Sequence, residues 1–245
     1  MSCGTEIKFI IYYTADNLRL LCQTNIMCMD GTFDACPALF AQLLTIHAVD
    51  QDKLVPVVYA LLADKRHNTY VNVFDILKNE AVNLSLQLQP TTILSDFEAG
   101  FVSAVRSAFP MSRHRGCHLH FYQSIYRQVQ ALGLVRNYEA NPEIRLQVRQ
   151  LMALSFLPVA IVRMTFHLLQ SQANPVLLGL FEYFERQWMT STVPALCNVH
   201  GNDVWRTNNH CEGWHNRFNR AISKHHPNIW LFLRAIQQEQ AATEL

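Results

Sequence analysis

Three acidic residues stand in three unlike local settings. Asp30 closes the apolar run Ile26-Met27-Cys28-Met29, Asp96 closes Thr92-Ile93-Leu94-Ser95, and Glu212 lies in the polar and aromatic stretch Asn-Asn-His-Cys-Glu-Gly-Trp-His-Asn. Carboxylates at the ends of two buried strands and on one helix can converge on a pair of divalent cations, which clamp the attacking and leaving oxygens of an in-line phosphoryl displacement. Magnesium suits oxygen ligands of this kind. Each residue alone also has a plainer reading. Asp30 precedes a glycine, as turn residues do. Asp96 fits a strand end or a helix N-cap. Glu212, three residues after Asn209, fits the N3 position of a capping box. Glu98, two residues after Asp96, reads as a structural acid at a helix start.

The elements that must position these groups follow from periodicity. Residues 24–33, 37–49 and 54–63 predict three consecutive strands, the last two joined by the polar turn at 50–53. Tyr70, Val73, Phe74, Leu77 and Ala81 follow helical spacing, with Asn68 or Thr69 as the cap. A strand over 91–96 carries Asp96. A helix through Phe101, Val105 and Phe109 stops at Pro110, and a short strand near 112–117 follows. From about 121 onward the pattern is helical, with Gly133 and Asn174-Pro175 as breaks, and the last two helices span about 208–223 and 228–242. Glu212, Asn216 and Asn219 share one face of the first of these, and Cys211, Trp214, Phe218 and Ile222 share another.

Composition bounds what the chain does. Charged residues make up 16% of its 245 residues and hydrophobic ones 50%, which excludes extensive disorder. A net charge of +1 gives no global basic field, so nucleic-acid contact must come from local clusters. The candidates are Arg113, His114 and Arg115, then Arg206, Arg217, Arg220 and Lys224 around Glu212, with Trp205 or Trp214 to stack on an unpaired base. Trp188 and Trp230 fit helix-core spacing, and His47 and His167 read as hydrogen-bonded histidines rather than ligands. Seven cysteines without framework spacing, and an N-terminus lacking a basic signal region, predict a reducing intracellular compartment. The most apolar stretch, 151–169, is interrupted by Pro158, Arg163 and His167, so no membrane span is expected.

Three strands, a helix, a strand with the second aspartate, further α/β units and a late helix with a glutamate is the order of the ribonuclease-H-like fold. The segments Met-Asp-Gly-Thr-Phe (29–33), Leu-Ser-Asp-Phe-Glu (94–98), Gly-Cys-His-Leu-His-Phe-Tyr-Gln (116–123) and Arg-Thr-Asn-Asn-His-Cys-Glu-Gly-Trp-His-Asn-Arg (206–217) resemble the catalytic core of Mutator-like (MULE) transposases over roughly residues 20–240. The resemblance implies an α/β fold with a mixed sheet flanked by helices and an all-helical insertion before the last catalytic helix. It implies a DDE triad of Asp30, Asp96 and Glu212 holding two Mg2+ or Mn2+ ions, with Cys117 and His120 as a Cys-x-x-His element. The activity implied is cleavage and strand transfer of DNA in transposition, in the nucleus, with transposon ends and target DNA as partners and a homo-oligomer as assembly.

The expected division is an N-terminal extension over 1–20, the first part of the core over 21–120, the helical insertion over 121–205 and the closing helices over 206–245. Cys117, His120, Cys211 and His215 would make a zinc quartet if the two segments met, and the plainer readings are a hydrogen-bonded structural pair or an active-site role. The family's usual upstream zinc-containing DNA-binding module finds no room ahead of Asp30, so a truncated copy, or DNA recognition borrowed from elsewhere, is expected. A catalytically silent, transposon-derived DNA-binding or regulatory protein is the alternative to an enzyme.

Overall fold

Alternating runs of Val, Ile, Leu and aromatic residues form the centre of a six-stranded mixed sheet. β2 (Ile26–Thr32), β3 (Gln42–Asp50) and β4 (Lys53–Leu62) pair antiparallel in sequence order. β1 (Phe9–Tyr12) adds antiparallel to β4, β5 (Thr92–Ser95) runs parallel to β2, and β6 (Arg113–Gly116) lies beyond it, giving the order β1-β4-β3-β2-β5-β6. The structure, a computed structural model, describes residues 9–51, 53–191, 194–201 and 209–243. The chain divides into two units, Met1–His114 with Asn208–Leu245, and Arg115–Thr207.

In the sheet unit both faces of β3 and β4 are covered, so their residues are almost continuously buried. One face packs under α1 (Ala15–Gln23), α2 (His67–Asn83) and α3 (Ala99–Ala108), through Met27, Met29, Ile46, Val58 and Ala60 against Leu18, Phe74 and Val105. The other packs under α10 (Asn209–Ile222) and α11 (Ile229–Thr243), through Leu43, Tyr59 and Leu61 against Trp214, Phe218 and Phe232. The β3–β4 register slips between Ile46, opposite Val58, and His47, opposite Pro56. Proline cannot donate to the ladder, and a bulge is where an interior strand tolerates it. Val57 and Val58 consequently both join the α1–α3 core, as consecutive residues at a bulge can.

Several expectations are corrected. The stretch ahead of residue 24, given only as an N-terminal extension over 1–20, carries β1 and α1, which extend the sheet unit, and Asn17 on α1 exchanges amide hydrogen bonds with Gln240 on α11 at 2.7 and 3.3 Å. The strand expected to begin at 37 begins at Gln42, because Cys36 N–H bonds to Phe33 C=O and Phe40 N–H to Pro37 C=O in two successive turns. Neither Asn68 nor Thr69 caps α2. Its cap position is Arg66, and Asp64 fixes the start by accepting from the Arg66 amide (3.0 Å) and the Thr69 hydroxyl (2.6 Å).

The second unit is helical: α4 (His118–Ala131), α5 (Val135–Ala140), α6 (Pro142–Ala153), α7 (Val159–Ser171), α8 (Leu178–Phe184), continued by a π-turn segment, and α9 (Pro194–Cys197). Its core is aromatic. Phe121 meets Trp188 edge to face at 4.8 Å, and Phe166 stacks on Phe184 at 5.4 Å. Gly133 ends α4 in a left-handed conformation, φ +70°, which glycine adopts without a Cβ penalty.

Candidate active site

β2 and β5 pair with Cys28 opposite Leu94, and Asp30 and Asp96 each stand two residues further on. Parallel strands therefore deliver both carboxylates to the same end of the sheet. β2 continues through Thr32, so Asp30 is a strand residue, not a turn residue, and is only 5% exposed. Asp96 is half-buried, just past β5, and the cap position of α3 is Glu98. Glu98 does not cap with its side chain. It accepts from Tyr70 Oη at 2.7 Å and Lys65 Nζ at 3.0 Å. Asp30, Asp96 and Glu98 all line one cavity of about 140 Å3.

Asp30 is held from two sides. The Gly31 amide donates to its Oδ1 at 3.0 Å, and His215 Nδ1 lies 3.1 Å from its Oδ2. His215 Nε2 lies 2.9 Å from Thr45 Oγ1, which lies 3.0 Å from His47 Nε2. All four residues are buried. Burial, with the neighbouring His215 adding, pushes the His47 pKa down to about 3, so His47 is neutral. In the arrangement that follows, His47 Nε2–H donates to Thr45 Oγ1, His215 Nδ1–H donates to Asp30, and the Thr45 hydroxyl has two partners in reach, His215 Nε2 at 2.9 Å and Asp30 C=O at 3.3 Å. This arrangement leaves His47 Nδ1 as a bare acceptor, and that atom has no partner among the described residues. Sequence reasoning missed this use of His215. The signal available was its spacing from Glu212, one turn along the same helix.

α10 lies over this end of the sheet. Cys211 packs on Cys28 and Leu94, while Trp214 stacks on Phe218 at 4.6 Å and meets His47 and Tyr59, each at 5.7 Å. With about 100° between successive helical residues, Trp214 and Glu212 fall on opposite flanks of the Cys211–His215 stripe. Trp214 takes the β3–β4 flank, leaving Glu212 on the β5 flank. The Glu212 side chain is half-buried. It is not part of the lining of the aspartates' cavity, and among the described residues no group of three or more His, Cys, Asp or Glu side chains is arranged as a metal cage. The oxygen donors of Asp30 and Asp96 are of the kind that suits a hard cation.

The basic candidates separate. Arg113 and Arg220 are exposed, as is Lys224. Arg115 is 7% exposed and so is no surface phosphate contact. Arg217 is committed within the fold: its guanidinium forks onto Glu239 of α11 at 2.9 and 2.7 Å, and Trp214 Nε1 donates to the same carboxylate at 2.8 Å. Arg206 and Trp205 lie outside the described residues. Trp214 is buried and offers no stacking surface, whereas Trp230, expected in the core, is 77% exposed. Cys117 is buried at the cap position of α4, with His120 in its first turn. In the sheet unit His215 has both ring nitrogens engaged, with Asp30 and Thr45, which argues against a zinc ligand there.

Residues 26–124 match the family model of the MULE transposase domain. The match contains Asp30, Asp96, Cys117 and His120, and agrees with the resemblance carried by the motifs; Glu212 lies beyond it. No curated protein matches the chain. Among the described residues no helix is long and apolar enough to cross a membrane.

Proposed function

We propose that the chain is a transposase-derived DDE catalytic domain of ribonuclease-H-like fold that cleaves DNA phosphodiesters and transfers strands. The observation that carries this reading is the delivery of Asp30 and Asp96, at equal offsets on paired parallel strands, to one cavity within the MULE match. Three antiparallel strands followed by a parallel one, acids at the ends of β2 and β5, and a glutamate on a late helix support the fold assignment. Two Mg2+ or Mn2+ ions, when bound, activate the attacking oxygen and stabilise the leaving one. Asp30 and Asp96 would hold them. The Gly31 amide and His215 fix the Asp30 carboxylate, and Glu212, on the flank of α10 nearest β5, completes the set by side-chain rotation. No covalent protein nucleophile is needed.

Duplex contact falls to the exposed Arg113, Arg220 and Lys224, which neutralise backbone phosphates, so duplex binding by this chain is weak, salt-dependent and nearly sequence-blind. The alternative is a catalytically silent, transposon-derived DNA-binding or regulatory protein. Calorimetric titration with Mn2+ separates them. Wild type binds Mn2+ and gains thermal stability, by about 2.7 kcal/mol at a hundredfold excess over Kd, and Asp30→Asn and Asp96→Asn abolish both effects. Absence of binding in wild type refutes the enzymatic reading.

A further inference from the structure

The cavity that Asp30, Asp96 and Glu98 line has further, unlike walls. Met29, Leu44 and Phe101 make an apolar floor, and Phe33 stands at its edge with 47% of its surface exposed. Lys65 Nζ lies 4.2 Å from the centre of the Phe33 ring. Opposite runs a directed chain: Tyr70 donates to Glu98 at 2.7 Å, so its oxygen accepts from Gln42 Nε2, at 2.5 Å. That direction fixes the orientation of the Gln42 amide. Its Oε1 is left as an acceptor beside Gly31, receiving nothing from the described residues, and a Cβ on Gly31 would approach it to 3.2 Å.

Size restricts the occupant. About 140 Å3 is several times the roughly 30 Å3 of one water, and below the roughly 300 Å3 at which sites for whole small molecules begin. A single planar heteroaromatic ring system fits. We propose that this cavity receives one unpaired nucleobase of the strand whose phosphate lies at Asp30 and Asp96. Phe33 stacks on the base, Lys65 stays paired with Glu98, and Gln42 Oε1 accepts from an exocyclic amino group. Cytosine or adenine is therefore preferred over thymine, which has no such group. The proposal rests on the DNA-cleaving reading for the position of the phosphate.

The test is fluorescence anisotropy of the full chain, in Ca2+ at fixed salt, with labelled 12-mers of equal charge: oligo-dC, oligo-dT and an abasic backbone. Oligo-dC binds about 10-fold more tightly than the abasic strand, within the range of aromatic–base stacking, and oligo-dT falls between them. Phe33→Ala, at a half-exposed site, brings oligo-dC to the abasic level, and Gln42→Met makes oligo-dC and oligo-dT equal. Equal affinity for oligo-dC and the abasic strand, or a preference that survives Phe33→Ala, overturns the proposal. Metal-dependent nicking without base preference refutes the cavity's role alone. A Phe33-dependent preference without nicking refutes the activity and leaves the base site standing.

Discussion

His215 touches Asp30 through one ring nitrogen and Thr45 through the other, and two substitutions separate those contacts. An asparagine amide reproduces the position of Nδ1, and a glutamine amide that of Nε2. If His215 orients a ligating carboxylate, His215→Asn keeps Mn2+ affinity within a few-fold, whereas His215→Gln weakens it by about 10- to 100-fold, the usual cost of losing an outer-shell partner. Calorimetry at one pH reads this directly, and equal affinities in the two variants contradict the positioning role. The positions of Asp30 late on β2 and of Asp96 just past β5 were legible in the sequence because each follows an apolar run. The His215 contact was not, since it depends on the β2–β3 pairing and on α10 returning over the sheet from the far end of the chain. Glu98 was legible as a structural acid, but its partners Lys65 and Tyr70 were not.

At the scale of elements, α10 divides its basic residues by face. Arg217 points along α11 to a buried carboxylate, and Arg220 points to solvent. Arg217→Ala leaves Glu239 with only the Trp214 indole among these partners. It lowers stability by roughly 2 kcal/mol, less than the 3–5 kcal/mol of fully buried pairs because the Arg217 side chain is 58% exposed. Arg220→Ala leaves stability unchanged but flattens the salt dependence of DNA binding by about one unit, for the one phosphate it no longer neutralises. Urea denaturation and binding across a salt series test the pair, and the reverse assignment of effects contradicts it. Residue type alone made the two arginines equivalent, because Glu239 is on a different helix. The same limit hid β1 and α1: four residues, Phe-Ile-Ile-Tyr, carry no alternation, and their strand exists by pairing with β4. The long periodic helix α2 and the β3–β4 hairpin needed no such partner to be read.

For the whole molecule, two histidines make stability depend on pH. Burial, with the His215 charge adding, sets His47 at about 3, and burial, with the Arg106 charge adding, sets His114 at about 4. Both lie below the ordinary value of about 6.5. As pH falls through 6.5 the unfolded chain takes up these protons first, so stability is fully present above that pH and is lost towards the folded values. His47 and His114 act in the same direction over that window. Urea midpoints measured at pH 7 and pH 5 show the loss, and His114→Gln reduces it; a midpoint independent of pH contradicts the burial of both groups. The central claim, that two aspartates delivered by parallel strands support phosphodiester cleavage, is tested most directly by nicking of supercoiled plasmid in Mn2+. Wild type converts supercoiled to open-circular DNA, EDTA stops it, and Asp96→Asn lowers the rate at least a hundredfold while remaining folded. Nicking that survives Asp96→Asn, or a folded wild type that leaves the plasmid supercoiled in Mn2+, contradicts the account.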